Sequence, residues 1–105
     1  MDGIPESAAI GNTIYVLGGY LQQGASSAVE AYDVAADRWS SAPSMPDGRH
    51  HPGVAAADGK VFVIGGYVPG PFPGPASDAV FAFDPATQTW SRKRSMPARL
   101  RLAPL

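Results

Sequence analysis

The chain contains no cysteine, which excludes a disulfide framework, a thiolate zinc site and a cysteine nucleophile. No run approaches the roughly 18 consecutive apolar residues of a membrane helix, and residues 1–9 have neither the basic start nor the apolar stretch of a signal peptide. Charge is also scarce, with 8 basic against 9 acidic residues, so no basic surplus indicates nucleic-acid binding. We therefore expect no nucleic-acid partner and no membrane partner, with the cytoplasm as the default compartment.

Glycine and proline are abundant, at 12 and 11 of 105 residues. Both residue types supply the backbone angles of tight turns and disfavour long helices. The apolar residues come in short runs rich in Val, Ile, Tyr and Phe, which favour strands. The composition predicts an all-β chain of short strands.

The chain repeats itself once. Residues 14–20 (IYVLGGY) align with 61–67 (VFVIGGY) at a shift of 47, since 61 − 14 = 47. Trp39 aligns with Trp90 and residues 44–46 (SMP) with 95–97 at a shift of 51, since 90 − 39 = 51. The extra four residues lie in the proline- and glycine-rich run 68–75. A period near 50 residues indicates two copies of one supersecondary unit.

Each unit contains four strand candidates. The first strands, 6–10 and 53–57, consist mostly of small residues and end at the hairpin signals Gly11-Asn12 and Asp58-Gly59. The second strands, 14–17 and 61–64, are apolar on both faces, so we expect cover on both faces. The third strands are 29–32 and 80–83, and the fourth lie at Trp39 and Trp90. Such a sheet has to stack against similar sheets.

A double glycine after the second strand, an aromatic residue and Asp ending the third, a later Trp and a Met-Pro pair together resemble the kelch repeat. The residues that carry this resemblance are Gly18, Gly19, Tyr32 and Trp39 in the first unit and Gly65, Gly66, Phe83 and Trp90 in the second. The resemblance implies two four-stranded antiparallel blades of a β-propeller, residues 1–50 and 51–105, joined through a crossover at 41–52. Because Trp39 and Trp90 obey the repeat, we predict that both pack blades together and do not bind a ligand.

Two blades do not close a propeller, which needs roughly 4 to 8. Either copies associate or the chain is a fragment of a longer propeller. Residues 100–105 fall on 49–54 when the repeat is continued, so we expect two whole periods. Residues 1–52 carry 6 acidic and 2 basic side chains, and residues 53–105 carry 3 and 6, net charges of −4 and +3 that favour head-to-tail packing. We expect a homotrimer that forms a six-bladed ring.

The predicted functional surface is the face on which the loop between the second and third strands and the crossover emerge together. In kelch-like propellers such a face resembles a surface that binds protein partners, and arginine and aromatic side chains on a rigid scaffold are typical interface anchors. The residues predicted for this face are Arg49, His50, His51, Tyr20, Tyr67, Phe72, Arg99 and Arg101.

Other functions for these residues stay open at this stage. Neighbours in a strand point to opposite faces, so we do not expect His50 and His51 to chelate one ion, and we predict no metal site. Copies of one histidine around a three-fold axis could still bind a cation. Tyr20 and Tyr67 could stack on a ligand or pack beneath their loops.

No set of nucleophile, base and orienting residue is visible, and neither glycine doublet opens a helix as a phosphate-binding loop would. We therefore predict no catalytic residue and no cofactor, and a non-catalytic module for protein–protein interaction. Some kelch-like propellers act on sugars, so a propeller that binds carbohydrate or another small molecule, or a fragment of a sugar-active enzyme, is the alternative.

Overall fold

A computed structural model describes residues 5–21, 24–69 and 75–97, and these ranges are built from strands and turns. Across them no helix is long and apolar enough to cross a membrane. The ten strands are β1 (Glu6–Ile10), β2 (Thr13–Leu17), β3 (Tyr20–Leu21), β4 (Gly24–Ala25), β5 (Val29–Asp33), β6 (Arg38–Ala42), β7 (Gly53–Ala57), β8 (Lys60–Ile64), β9 (Val80–Asp84) and β10 (Thr89–Lys93).

Eight of the strands form two antiparallel four-stranded sheets of the same topology, which confirms the predicted fold class. Sheet 1 has the order β1-β2-β5-β6, and sheet 2 has the order β7-β8-β9-β10. Their registers correspond as well: Tyr15 lies between Ala8 and Ala31, and Phe62 lies between Ala55 and Ala82 in sheet 2. The sequence repeat is therefore a repeat of one strand-pairing pattern.

A short hairpin of β3 and β4, with Tyr20 paired to Ala25, was not predicted. It lies within the connection between β2 and β5 of sheet 1. Strands of two residues are too short to show a two-residue periodicity in the sequence. The other turns follow the sequence signals, since Gly11, Asp58 and Gly59 all have positive φ angles.

The core lies between the two sheets. Tyr15 and Phe83 meet across it edge to face, with ring centroids 5.5 Å apart and an interplanar angle of 65°. Trp90 packs against the same core, and its indole N–H donates to the carbonyl of Pro43 in the crossover at 2.8 Å. The buried residues of this core are Tyr15, Leu17, Val29, Met45, Val61, Val63 and Phe83.

Within the described residues, the cover that we expect on both faces of the second strands is present on the faces that meet in the core and incomplete on the other two faces. The outer side chains of β2 are half-buried, and Ile64 in β8 is 37% exposed. Trp39, the counterpart of Trp90, is 59% exposed. Among the described residues, each sheet thus has an outward face that no other sheet covers. The outward face of sheet 1 includes Ile14, Val16, Glu30, Tyr32, Trp39 and Ser41, and that of sheet 2 includes Ala55, Phe62, Ile64, Val80, Ala82 and Lys93.

Candidate partner-binding face

The crossover between the sheets is held by main-chain hydrogen bonds to the loops on either side of it. On the sheet 1 side, the Gly19 N–H donates to the Arg49 carbonyl at 2.9 Å, and the Arg49 N–H donates to the Ser26 carbonyl at 3.0 Å. On the sheet 2 side, His50 and Tyr67 exchange two N–H to carbonyl bonds of 3.0 Å each. Three loops that emerge at one end of the sheets are therefore joined into a single platform.

The glycines around the crossover allow this close approach. A Cβ added at Gly48 would lie 2.1 Å from the carbonyl oxygen of Ala25. Gly18 and Gly66 have φ angles of +74° and +87°, and a Cβ on either would lie within about 3 Å of the crossover backbone. The repeated glycine doublets thus have a physical role: they let the crossover lie against the loop of each sheet.

Arg49 lies inside this platform, with a side chain that is 1% exposed. Its Nη2 forms an ion pair of 3.0 Å with Asp47, and its guanidinium lies 4.8 Å from the centre of the Phe81 ring. Nη1 is 3.5 Å from the Gly65 carbonyl, and the buried Nε has no hydrogen-bond partner among the described residues. Burial lowers the pKa of Arg49, an effect that Asp47 opposes and Arg92 reinforces.

His50 and His51 lie together, so the prediction that their rings point to opposite faces is wrong. His51 has a φ of +56° and not the extended backbone of a strand, which brings its Nδ1 to 2.9 Å from that of His50. His50 is fully buried and stacks on Tyr67, with ring centroids 5.2 Å apart. In the three described ranges, no group of three His, Cys, Asp or Glu side chains is arranged to hold a metal ion.

The structure brings together four of the residues predicted for this face: Arg49, His50, His51 and Tyr67. Arg49 and His50 offer almost no side-chain surface, whereas His51 is exposed and Tyr67 half-buried. Tyr67 packs on His50, one of the two roles considered for it. For Tyr20 only the backbone, in β3, is described; Phe72, Arg99 and Arg101 lie outside the described residues.

Asp47 was missed in the sequence analysis, although it pairs with Arg49. Its signal was a carboxylate two residues before an arginine within a glycine-containing loop. Such spacing has little meaning until the loop conformation is known, because side chains two residues apart share a face in extended backbone and diverge in a helix. The role of Gly48 was hidden for the same reason, since it depends on a contact with a distant loop.

The repeated aromatic pairs pack alike within the two sheets. Tyr32 and Trp39 have centroids 5.0 Å apart, and Phe83 and Trp90 have centroids 5.3 Å apart. The Tyr32 hydroxyl donates to the Asp37 carboxylate. This hydrogen bond, with smaller contributions from burial and the charge of Asp33, raises the pKa of Tyr32.

Comparison with known proteins agrees with this geometry. The sequence model of the Kelch motif matches residues 5–46 and 48–97. An F-box/kelch-repeat protein of Arabidopsis thaliana is 42% identical over 82 residues, which cover 78% of this chain and 20% of that protein. Kelch-like protein 15 of Danio rerio is 35% identical over 97 residues, covering 83% of this chain and 15% of that protein. A putative F-box/kelch-repeat protein of Arabidopsis thaliana is 37% identical over 92 residues, covering 88% and 22%. The chain thus spans about a fifth of the length of these curated relatives.

Proposed function

Because this chain belongs to the kelch-repeat family, we propose that it is a non-catalytic propeller module that binds a protein partner through the platform at one end of its sheets. The platform comprises the part of the crossover that lies between β6 and β7, residues 43–52, and the two loops bonded to it. The Kelch-like and F-box/kelch-repeat relatives support a role in protein interaction at the level of the module.

The observation that carries the proposal is that the exposed His51 and half-buried Tyr67 are supported by buried side chains. His51 contacts His50, which stacks on Tyr67, and the backbone beneath them is bonded on both sides. A rigid surface loses little conformational entropy when it binds, so more of the contact energy remains as affinity. At the opposite end of the sheets, no hydrogen bond among the described residues joins a turn of one sheet to a turn of the other.

A peptide library displayed on phage tests this proposal without a known partner. We expect selection on the immobilised chain to yield binding peptides whose affinity falls about ten-fold or more in a His51→Asn variant, because rigid central contacts carry most binding energy. Asn tolerates the positive φ at position 51, so the fold is preserved. Thr87→Ala, in an exposed turn at the opposite end, is the control and should bind normally.

Two results would overturn the proposal. One is a set of selected peptides that bind the His51→Asn and wild-type chains equally while Thr87→Ala weakens them. The other is a saccharide that raises the melting temperature in a thermal shift screen while no peptide is retained, which would favour the carbohydrate-binding alternative. The Phe72→Ala variant extends the test to the proline-rich sequence 68–75, for which we expect weaker capture and an unchanged melting temperature.

The second part of the proposal is that copies of the chain close a propeller ring as a homotrimer. The two outward faces support it, because exposed apolar surface of this kind marks an interaction site. Two blades per chain give an even number of blades, and three copies give six. Light scattering should then report about three times the 10.9 kDa monomer mass. A compact monomer at high concentration would contradict ring closure and favour a role for these blades within a longer propeller.

A further inference from the structure

We propose that the outward face of sheet 1 docks on the outward face of sheet 2 of a second copy, with Trp39 and Glu30 of one chain against Arg94 and Lys93 of the next. This inference rests on the self-association proposed above and assigns the residues that would form its interface. It follows from the contact between the sheets within one chain.

The contact within the chain provides the template. Sheet 2 faces sheet 1 with Phe83, Trp90 and their neighbours, and the sequence repeat places Tyr32 and Trp39 at the same positions on the outward face of sheet 1. Sheet 1 meets them with Tyr15, Leu17 and Ala31, whose counterparts Phe62, Ile64 and Ala82 lie on the outward face of sheet 2. The two unpartnered faces are thus the repeat equivalents of two faces that already pack together.

Trp39 is the clearest unpaired element of this template. The Trp90 indole N–H donates to the carbonyl of Pro43, whereas the Trp39 indole has no hydrogen-bond partner among the described residues. At the shift of 51 residues, the counterpart of Pro43 is Arg94, which directly follows β10. In the docked copy the Trp39 N–H would therefore donate to the Arg94 carbonyl, which would cover an aromatic ring that is now 59% exposed.

The charges on the two outward faces favour a second copy of this chain as the docking partner. Glu30 occupies the position of the buried Phe81, and Lys93 occupies the position of Ala42, so apolar positions on the two inward faces become an acid and a base on the two outward faces. Glu30 accepts a hydrogen bond from the Ser41 hydroxyl at 3.2 Å, beside an open groove of about 420 Å³ that Trp39 also lines. Neither Glu30 nor Lys93 has an ion-pair partner within the described ranges. Docking of these two outward faces between identical chains would place the acid and the base within one interface.

The test is a charge exchange in the full 105-residue chain, with mass measured by light scattering over a dilution series. Glu30→Lys and Lys93→Glu should each raise the dissociation concentration at least about five-fold, because each puts like charges on facing surfaces. The double variant E30K/K93E should return it to within about two-fold of wild type. Ala36→Lys adds a positive charge to the exposed turn between β5 and β6, outside both faces, and should have no such effect.

Trp39→Ala provides a second measurement that does not depend on charge. It should dissociate the assembly more strongly than either charge reversal while the circular dichroism spectrum of the chain is retained, since buried aromatic anchors dominate interfaces. If the wild-type chain assembles but E30K, K93E and Trp39→Ala all keep its mass, the docking surface is wrong and self-association stands. If the double variant remains as dissociated as the single variants, the Glu30–Lys93 pairing is wrong. A wild-type monomer would overturn both proposals.

Discussion

The two tryptophans offer a matched test of the structure, because they share a sequence position but not an environment. Trp90 packs between the sheets and donates to Pro43, whereas Trp39 is 59% exposed and touches Tyr32 of its own sheet. Truncation of a buried large aromatic side chain to Ala lowers the free energy of unfolding by about 3–5 kcal/mol. Loss of one neutral hydrogen bond lowers it by about 1 kcal/mol net. Because Trp90 is only half-buried, we expect Trp90→Ala to lower the free energy of unfolding by about 3 kcal/mol.

Trp39→Ala should cost the isolated chain much less. Its ring contact with Tyr32 is worth about 0.5–1.5 kcal/mol, and the exposed part of the indole contributes little. The assay is urea denaturation followed by circular dichroism, at a concentration where light scattering shows monomers. Unchanged m-values would confirm that the variants differ in stability and not in compactness. Trp90→Phe separates the hydrogen bond from the ring and should cost about 1–2 kcal/mol.

The reasoning fails if Trp90→Ala costs less than about 1 kcal/mol, or if both Ala variants are equally costly in the monomer. The first result would mean that the ring does not support the core between the sheets. The second would mean that position in the repeat, and not the contact with a neighbouring sheet, sets the contribution. Above the association concentration, Trp39→Ala should become more costly, because an interface stabilises only the folded chain.

Two further predictions concern the platform and the outward face. Gly48→Ala should lower the free energy of unfolding by about 2 kcal/mol or more, because its Cβ would meet a backbone oxygen, while Gly11→Ala, strained only by a positive φ, should cost about 1–2 kcal/mol; equal costs in denaturant titrations would refute the steric argument. Tyr32 should titrate above its ordinary pKa of about 10, and Asp37→Asn should lower that pKa; the stability linked to the raised pKa is present below pH 10 and lost as pH rises through the folded-state pKa. Ultraviolet absorbance of tyrosinate, compared with Tyr32→Phe, measures this, and an unchanged titration in Asp37→Asn would refute the role of the hydrogen bond.

The strands could be predicted from the sequence because each is set by short-range patterns. Short runs of small residues before the Gly11-Asn12 and Asp58-Gly59 turns, and continuous apolar runs after them, predict β1, β2, β7 and β8 to within one residue. The repeat then allowed the third and fourth strands to be predicted, because a weak strand pattern in one unit recurs at the same position in the other. It was harder to predict which face of the second strands is buried within one chain. Apolar residues on both faces indicate that both should be buried, but they do not show whether the same chain supplies the packing partner.

The platform was predictable only in its location. The expectation that His50 and His51 diverge assumed extended backbone. His51 instead has a positive φ, which is typical of a turn, and a histidine at that position is not a sequence signal for one. The burial of Arg49 was also invisible, since an arginine between loops is usually solvated. Its cover comes from Phe81 and the Gly65 backbone, more than 15 residues away in the sequence.

Variants of Arg49 therefore test whether this side chain supports the platform or contacts a binding partner. Its charge is buried with one unpartnered nitrogen, and replacing buried ionic groups with apolar ones of similar size is often neutral. We expect Arg49→Met to change the free energy of unfolding by less than about 1 kcal/mol. Asp47→Asn should cost about 1–2 kcal/mol, because it leaves the buried guanidinium without its counter-charge, although the 46% exposure of Asp47 reduces the effect.

Denaturant titrations of both variants, paired with binding of the phage-selected peptides, complete this test. Because the Arg49 side chain offers almost no surface, peptide affinity should follow stability and stay close to wild type in Arg49→Met. A greater loss of stability in Arg49→Met than in Asp47→Asn would show that the arginine contributes net stability through Phe81 and Gly65. A fully stable Arg49→Met chain that no longer binds peptide would instead show that the platform opens on binding, which places the guanidinium in contact with the partner.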